Sequence, residues 1–365
     1  MLVKNNYNEC LTNLACSIRK YFELDYKHNT LSYIDEILDK DNPSNVILIL
    51  IDGMGSNILK HTLSEDSFFL RNKLKDITTV FPATTTAATT SIRTGLNPVE
   101  HGWLGWNTYL SNIDKTITLF LKTEKGKSNT CEEFVNNNTL VKKTIVKEIN
   151  EKGEYKGYEL FPFGSNAYSD INDMFDKIYN LTKENGKKYI YVYDDELDGV
   201  LHELGFEHET TKRKILERNK KVEELCEKLT DSLVIVVADH GHIKIKNEFL
   251  NDYPELLNML ERTTSLEPRA VSFKVKKEFM SDFAIKFSEL FGNDFNLHTK
   301  EDIINSKLFG DGIENEIFQD AIGDFIAIAK TDKCLLSDGD MELVSQHAGY
   351  TDDEIYIPLI LKRKK

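Results

Sequence analysis

A chain of 365 residues with 40% apolar and 29% charged residues is long enough for one large α/β core with room for an inserted subdomain. Its formal charge of -14 argues against a general nucleic-acid binder, which needs clustered Lys and Arg. No apolar run reaches bilayer length, so no membrane span is expected. The five cysteines are scattered, odd in number and without C-x-x-C spacing. That pattern disfavours a disulfide framework or a thiolate zinc site and points to a reducing cytoplasm.

From the N-terminus, Met1 to Phe22 mixes Lys4, Asn5, Asn6, Asn8 and Glu9 among apolar residues. It lacks the continuous apolar core of a signal peptide and reads as an amphipathic helix packed on the domain. The run Val46 to Ile51 predicts a buried strand that stops on Asp52-Gly53. Next, Pro82 and Gly95 bracket a Thr-rich helix. Hydroxyls at its start would sit where free N–H groups and the dipole favour an anion, although taken alone the segment favours ordinary capping by Thr84 or Thr85. Residues 104–185 are polar and weakly periodic, and predict a smaller insertion within the core. Their aromatics, Tyr155, Tyr158, Phe161, Phe163 and Tyr168, suit either a mini-core or a ligand platform.

The strand Tyr189 to Tyr193 runs into Asp194-Asp195-Glu196, and a helix just beyond it carries Asp198 and His202. At i and i+4 this pair shares a face and can reach one cation, or it is an exposed pair. Val234 to Val237 is a β-branched run that ends in Ala238-Asp239-His240-Gly241-His242. Asp and His beside a buried strand need a partner and are ligands suited to a transition metal. Residues 244–334 alternate in pattern and predict a cap, which leaves 1–243 and 335–365 as the core. Arg269 within the cap either faces the site or forms an ion pair. Late strands are expected at Phe325 to Ala329 and Glu354 to Ile360, with Pro358 placing the last at a sheet edge or ending it early. Between them, Ser345-Gln346-His347-Ala348-Gly349 is a polar turn with a lone His. Strands that end in acid and alternate with helices define an α/β fold whose site lies at the carboxyl edge of a parallel sheet.

Taken in order, strand-Asp52-Gly53, the threonines ahead of Thr94-Gly95-Leu96, Asp198-x-x-x-His202, Asp239-His240-Gly241 and His347-x-Gly349 resemble the alkaline phosphatase superfamily. Within it they resemble the nucleotide pyrophosphatase/phosphodiesterase branch. The resemblance covers most of the chain and implies an alkaline phosphatase-like three-layer sandwich with a mostly parallel central sheet and an inserted cap. It implies two divalent metal ions, zinc or alternatively manganese. One is held by Asp198, His202 and His347, the other by Asp52, Asp239 and His240. Counting back from Thr94-Gly95-Leu96 reaches Thr85 as the nucleophile, which would be transiently phosphorylated. Asn107 is the candidate for holding a phosphate oxygen, although the branch's usual position, counted from His101, falls on Trp106. His242 is extra to the pattern and either touches substrate or is hydrogen-bonded structurally.

The implied activity is metal-dependent hydrolysis of phosphodiester or nucleotide pyrophosphate bonds in a small phosphate-ester or nucleotide substrate. A phosphomonoesterase or phosphonate hydrolase on the same scaffold is the alternative, and a non-catalytic metal-binding protein is a third reading. Two dications among three Asp ligands would make the site net positive, which reconciles an acidic chain with an anionic substrate. The oligomeric state is left open.

Overall fold

The computed structural model describes residues 4–137, 140, 143–164 and 167–365. Its central sheet has six strands in the order Lys73–Thr78, Tyr356–Lys364, Ser232–Val237, Asn45–Ile51, Lys188–Asp194 and Lys156–Leu160. Asn45–Ile51 runs parallel to both of its neighbours, and Lys156–Leu160 extends the parallel set. Every residue of the three inner parallel strands is buried, which is why their sequences are nearly continuous apolar runs rather than alternating ones. Helix Leu11–Tyr21 packs on helix Thr85–Thr94, so the N-terminal amphipathic segment forms part of the helical layer.

Tyr356–Lys364 is antiparallel to both neighbours and lies inside the sheet, with Lys73–Thr78 as the true edge. The strand accepts Pro358 because this residue pairs with Asp76 of the edge strand. Pairing with Ser232–Val237 begins only at Ile360, beyond an irregularity.

A second sheet of seven strands is antiparallel throughout and runs Phe295–Thr299, Phe325–Ala329, Ala270–Phe273, Ser265–Glu267, Asn107–Leu110, Lys115–Thr118 and Thr123–Glu124. Parts of 104–185 and of 244–334 meet in it through the pairing of Leu266 with Asn107, whereas Lys156–Leu160 belongs to the central sheet. This sheet has its own apolar core, built around Phe273, Phe283, Phe287, Phe291 and Phe295. Of the aromatics between 155 and 168, Tyr155, Tyr158, Phe161 and Tyr168 pack against the main core. Phe163 stacks on Phe161 and stays 57% exposed.

Arg269 joins the second sheet to the loop that carries His347. Its guanidinium donates to Glu354 at 2.7 and 2.9 Å, and both side chains are fully buried. Glu354 also accepts from the backbone N–H groups of Gly349 and Thr351. Losing one partner of such a buried pair costs roughly 3–5 kcal/mol, so the loop is firmly anchored. All five cysteines are buried free thiols. Among the described residues, no helix is long and apolar enough to cross a membrane.

Candidate active site

Register between the inner strands sets the site. Ile51 pairs with Asp194 and Leu50 with Val237, so Asp52 and Asp239 leave the sheet side by side at its carboxyl edge. The Gly53 N–H donates to Asp239 Oδ1 at 3.0 Å. Gly53 has φ 73°, and a Cβ there would meet the His242 ring at about 3.0 Å, so backbone conformation and space both call for glycine. Gly241 is required for a different reason, since a Cβ would lie 1.9 Å from the Asp353 carbonyl oxygen. Asp194, the third acid at a strand end, is instead held by Arg218 at 2.8 and 2.9 Å.

Helix Thr85–Thr94 points its N-terminus at this edge and ends on Gly95 in the left-handed region. Thr89, Thr90 and Thr94 donate back to the carbonyls of Thr85, Thr86 and Thr90, which satisfies hydroxyls that would otherwise be stranded among helices. The three threonines at the start are distinguishable. Thr84 Oγ1 donates to Glu267 at 2.6 Å, and Thr86 Oγ1 is buried without a hydrogen-bond partner. Thr85 Oγ1 alone of the three lies against His240, 3.2 Å from Nε2.

Around Thr85, Asp52 Oδ1 and Asp239 Oδ2 are buried with no hydrogen-bond donor, 3.3 and 3.5 Å from His240 Nε2. Donors sharing one tetrahedral ion, at bond lengths of about 2.0–2.2 Å, lie roughly 3.3–3.6 Å apart. The three residues therefore fit a cation. Burial and the neighbouring Asp239 push the Asp52 carboxyl well above its ordinary range, while the Tyr193 hydroxyl, donating to Asp52, works the other way. A dication would relieve that repulsion.

The second ligand group gathers on helix Glu196–Leu204 and the loop from Ser345. His202 Nε2 is 3.4 Å from Asp198 Oδ2, again a ligand-like spacing. Asp198, His240, His242 and His347 also bring donor atoms within 4.8 Å of one another. His202 is not in that tightest grouping, although its ring lies 4.7 Å from that of His242 and 5.2 Å from that of His347. His202 Nδ1 contacts the Ser345 carbonyl at 2.8 Å and His347 Nδ1 the Ala83 carbonyl at 3.0 Å. A carbonyl can only accept, so each Nδ1 carries a proton and Nε2 is the nitrogen left to bind a cation. Burial would raise Asp198, but His202 and His242 outweigh it and hold the carboxylate well below its usual range. Its side chain is 18% exposed against 2% for Asp52, so this side of the centre is the more open.

Asn107 begins a strand of the second sheet. Its Oδ1 accepts from Thr118, which orients Nδ2 toward Asp340 at 3.3 Å. Asp340 in turn pairs with the buried Lys125 at 2.9 Å. Sequence reasoning passed over Glu267, whose Oε1 accepts from Thr84 Oγ1 and the Trp106 N–H, both at 2.6 Å, and whose carboxyl burial pushes up to about 7. The strand that carries it, Ser265–Glu267, holds a single apolar residue, so no local pattern marks the acid. Tyr193 and Ser345 were also missed, because their roles depend on which residue faces them across the fold. Arg269 forms the buried ion pair described above.

A mostly parallel α/β core with acids and imidazoles at its carboxyl edge, and a threonine at a helix start among them, defines an alkaline phosphatase-like phosphoester hydrolase. The family model for type I phosphodiesterase / nucleotide pyrophosphatase matches residues 46–350, and the chain belongs to that family. Human ectonucleotide pyrophosphatase / phosphodiesterase 5 is similar in structure with a TM-score of 0.63 at 16% identity, covering 87% of each chain. The murine protein, an inactive variant in complex with AMP, gives 0.63 at 16% identity over 86% of this chain and 87% of that one. Phosphonoacetate hydrolase from Sinorhizobium meliloti 1021, in complex with phosphonoformate, gives 0.63 at 14% identity over 88% and 91%. No curated protein sequence matches.

Proposed function

We propose that this chain hydrolyses phosphodiester or nucleotide pyrophosphate bonds through a phospho-threonine at Thr85 and a two-metal centre. The observation that supports this most directly is the convergence of two donor-less buried oxygens, from Asp52 and Asp239, on the His240 Nε2 that faces the Thr85 hydroxyl. Asp52, Asp239 and His240 would hold one ion, and Asp198, His202 and His347 the other. Mixed carboxylate and imidazole donors suit zinc, with manganese as the second choice. Such ions supply Lewis-acid stabilisation of charge on phosphoryl oxygens and favour ionisation of a hydroxyl.

The chain's own groups do the rest. Thr85 Oγ1, fixed at the first turn of its helix, attacks phosphorus as the leaving oxygen departs with its bonding electrons. Water then cleaves the Thr85 ester and restores the hydroxyl. Free N–H groups at the helix start favour the anionic phosphoryl group there. Asn107, its amide oriented by Thr118, would turn Nδ2 from Asp340 to a phosphoryl oxygen.

The similarity to phosphonoacetate hydrolase favours a second reading, carbon–phosphorus cleavage on the same centre. Bis(p-nitrophenyl) phosphate, p-nitrophenyl phosphate and phosphonoacetate, compared at equal metal loading, separate the possibilities. The diester is expected to have the highest kcat/KM. Preference for the monoester, or phosphate release from phosphonoacetate alone, would replace the proposed reading.

A further inference from the structure

His202 and His242 compete for the same place, since both imidazoles approach Asp198, from opposite oxygens. We propose that His242 is not a metal ligand but the positioning residue that aims Asp198, and that His202 is the ligand. This inference rests on the two-metal reading above.

Hydrogen-bond chemistry separates the two rings. Nδ1 of His202, His240 and His347 each contacts a main-chain carbonyl, of Ser345, Gly241 and Ala83 at 2.8, 3.2 and 3.0 Å. Each is thereby fixed as a donor at Nδ1, and Nε2 is left bare for a cation. His242 is the exception in the cluster. Its Nδ1 faces the Ser345 hydroxyl at 3.1 Å, which can donate. With that proton donated to Nδ1, the His242 proton resides on Nε2, 2.7 Å from Asp198 Oδ1.

Distance agrees with tautomer. The His242–Asp198 separation of 2.7 Å is that of a charge-assisted hydrogen bond, whereas His202 lies 3.4 Å from the other oxygen, Oδ2, as co-ligands of one ion do. Ser345 therefore serves both histidines, its carbonyl orienting His202 and its hydroxyl orienting His242. The short antiparallel pairing of Ser345–Gln346 with Ile243–Lys244 holds the two in register. Gly53 completes the arrangement, because a Cβ there would lie 3.1 Å from His242 Nε2.

Calorimetric zinc titration of the chelator-stripped full chain, with cobalt(II) absorption at saturation, decides the matter. Wild type is expected to take up two ions, and Asp198→Asn to lose one site. His242→Leu should weaken that same site about 10–100-fold, the usual effect of losing an outer hydrogen bond, without changing the saturated cobalt spectrum. His242→Gln, which keeps a donor toward Asp198, should recover most of the affinity. Ser345→Ala, which keeps the carbonyl on His202, should weaken the site less than His242→Leu and serves if the latter folds poorly. His202→Leu should alter the cobalt spectrum. A spectrum altered by His242→Leu but not by His202→Leu would make His242 the ligand and overturn the assignment. Affinity unchanged in both His242→Leu and Ser345→Ala would reduce His242 to a packing role. Fewer than two ions on wild type would instead strike at the metal reading itself, and this inference would fall with it.

Discussion

Thr85→Ala is expected to lower kcat on the order of 10³–10⁶-fold, the range seen when a covalent catalyst loses its nucleophile, with metal uptake retained. Thr85 Oγ1 is the hydroxyl that faces His240, while Thr84 is committed to Glu267 and the Thr86 hydroxyl is buried without a hydrogen-bond partner. Thr84→Ala and Thr86→Ala should therefore retain far more activity than Thr85→Ala. Thr85→Ser keeps the oxygen and should keep measurable turnover. Steady-state kinetics, with mass analysis of the acid-quenched Thr85 peptide, reads both the rate and the adduct. Turnover by Thr85→Ala at the wild-type rate would remove Thr85 from the chemistry.

Withdrawal of metal is expected to abolish turnover and to make stability sensitive to pH. Asp52 and Asp239 are buried together, and each keeps an oxygen without a donor. Burial, and then Asp239, raises the folded-state pKa of Asp52 well above 3.8. The metal-free native state therefore binds more protons than the unfolded chain across the window from about that value upward. Its contribution to stability is complete below the unfolded pKa and is lost as pH rises through the folded one. Because the buried His101, His242 and His347 are held below the usual imidazole value and pull total stability the other way, the Asp52 contribution is read as the difference in unfolding free energy between metal-free wild type and Asp52→Asn, which should fall from pH 5 to pH 8. Restoring metal at about 100 times its Kd should add roughly 2.7 kcal/mol per site. A wild type-minus-Asp52→Asn difference that stays constant from pH 5 to pH 8, with metal-free wild type no less stable than the loaded protein, would contradict this account of the carboxylate pair.

Much of this centre is legible in the sequence because each element carries a local signal. Buried parallel strands are apolar throughout, so Asp52 and Asp239-His240 stand out at their ends. Asp198 and His202 show at helical spacing, and Gly95 marks the helix end, while the count from Thr94-Gly95-Leu96 back to Thr85 comes from the family resemblance. The rest is set by tertiary pairing, which has no local signature. Phe325–Ala329 reads as a strand, but only its antiparallel partners place it in the second sheet. Pro358 suggests an edge, yet the strand is internal because its pairing partner changes along its length. Glu267 and Ser345 acquire their significance from Thr84, His202 and His242, residues far away in the chain.

Anomalous scattering from crystals grown with zinc tests the central claim most directly, because it locates ions without reference to activity. Two peaks beside Thr85 are predicted, one bounded by Asp52, Asp239 and His240 and the other by Asp198, His202 and His347. A single peak, or none within reach of the Thr85 hydroxyl, would contradict a two-metal centre.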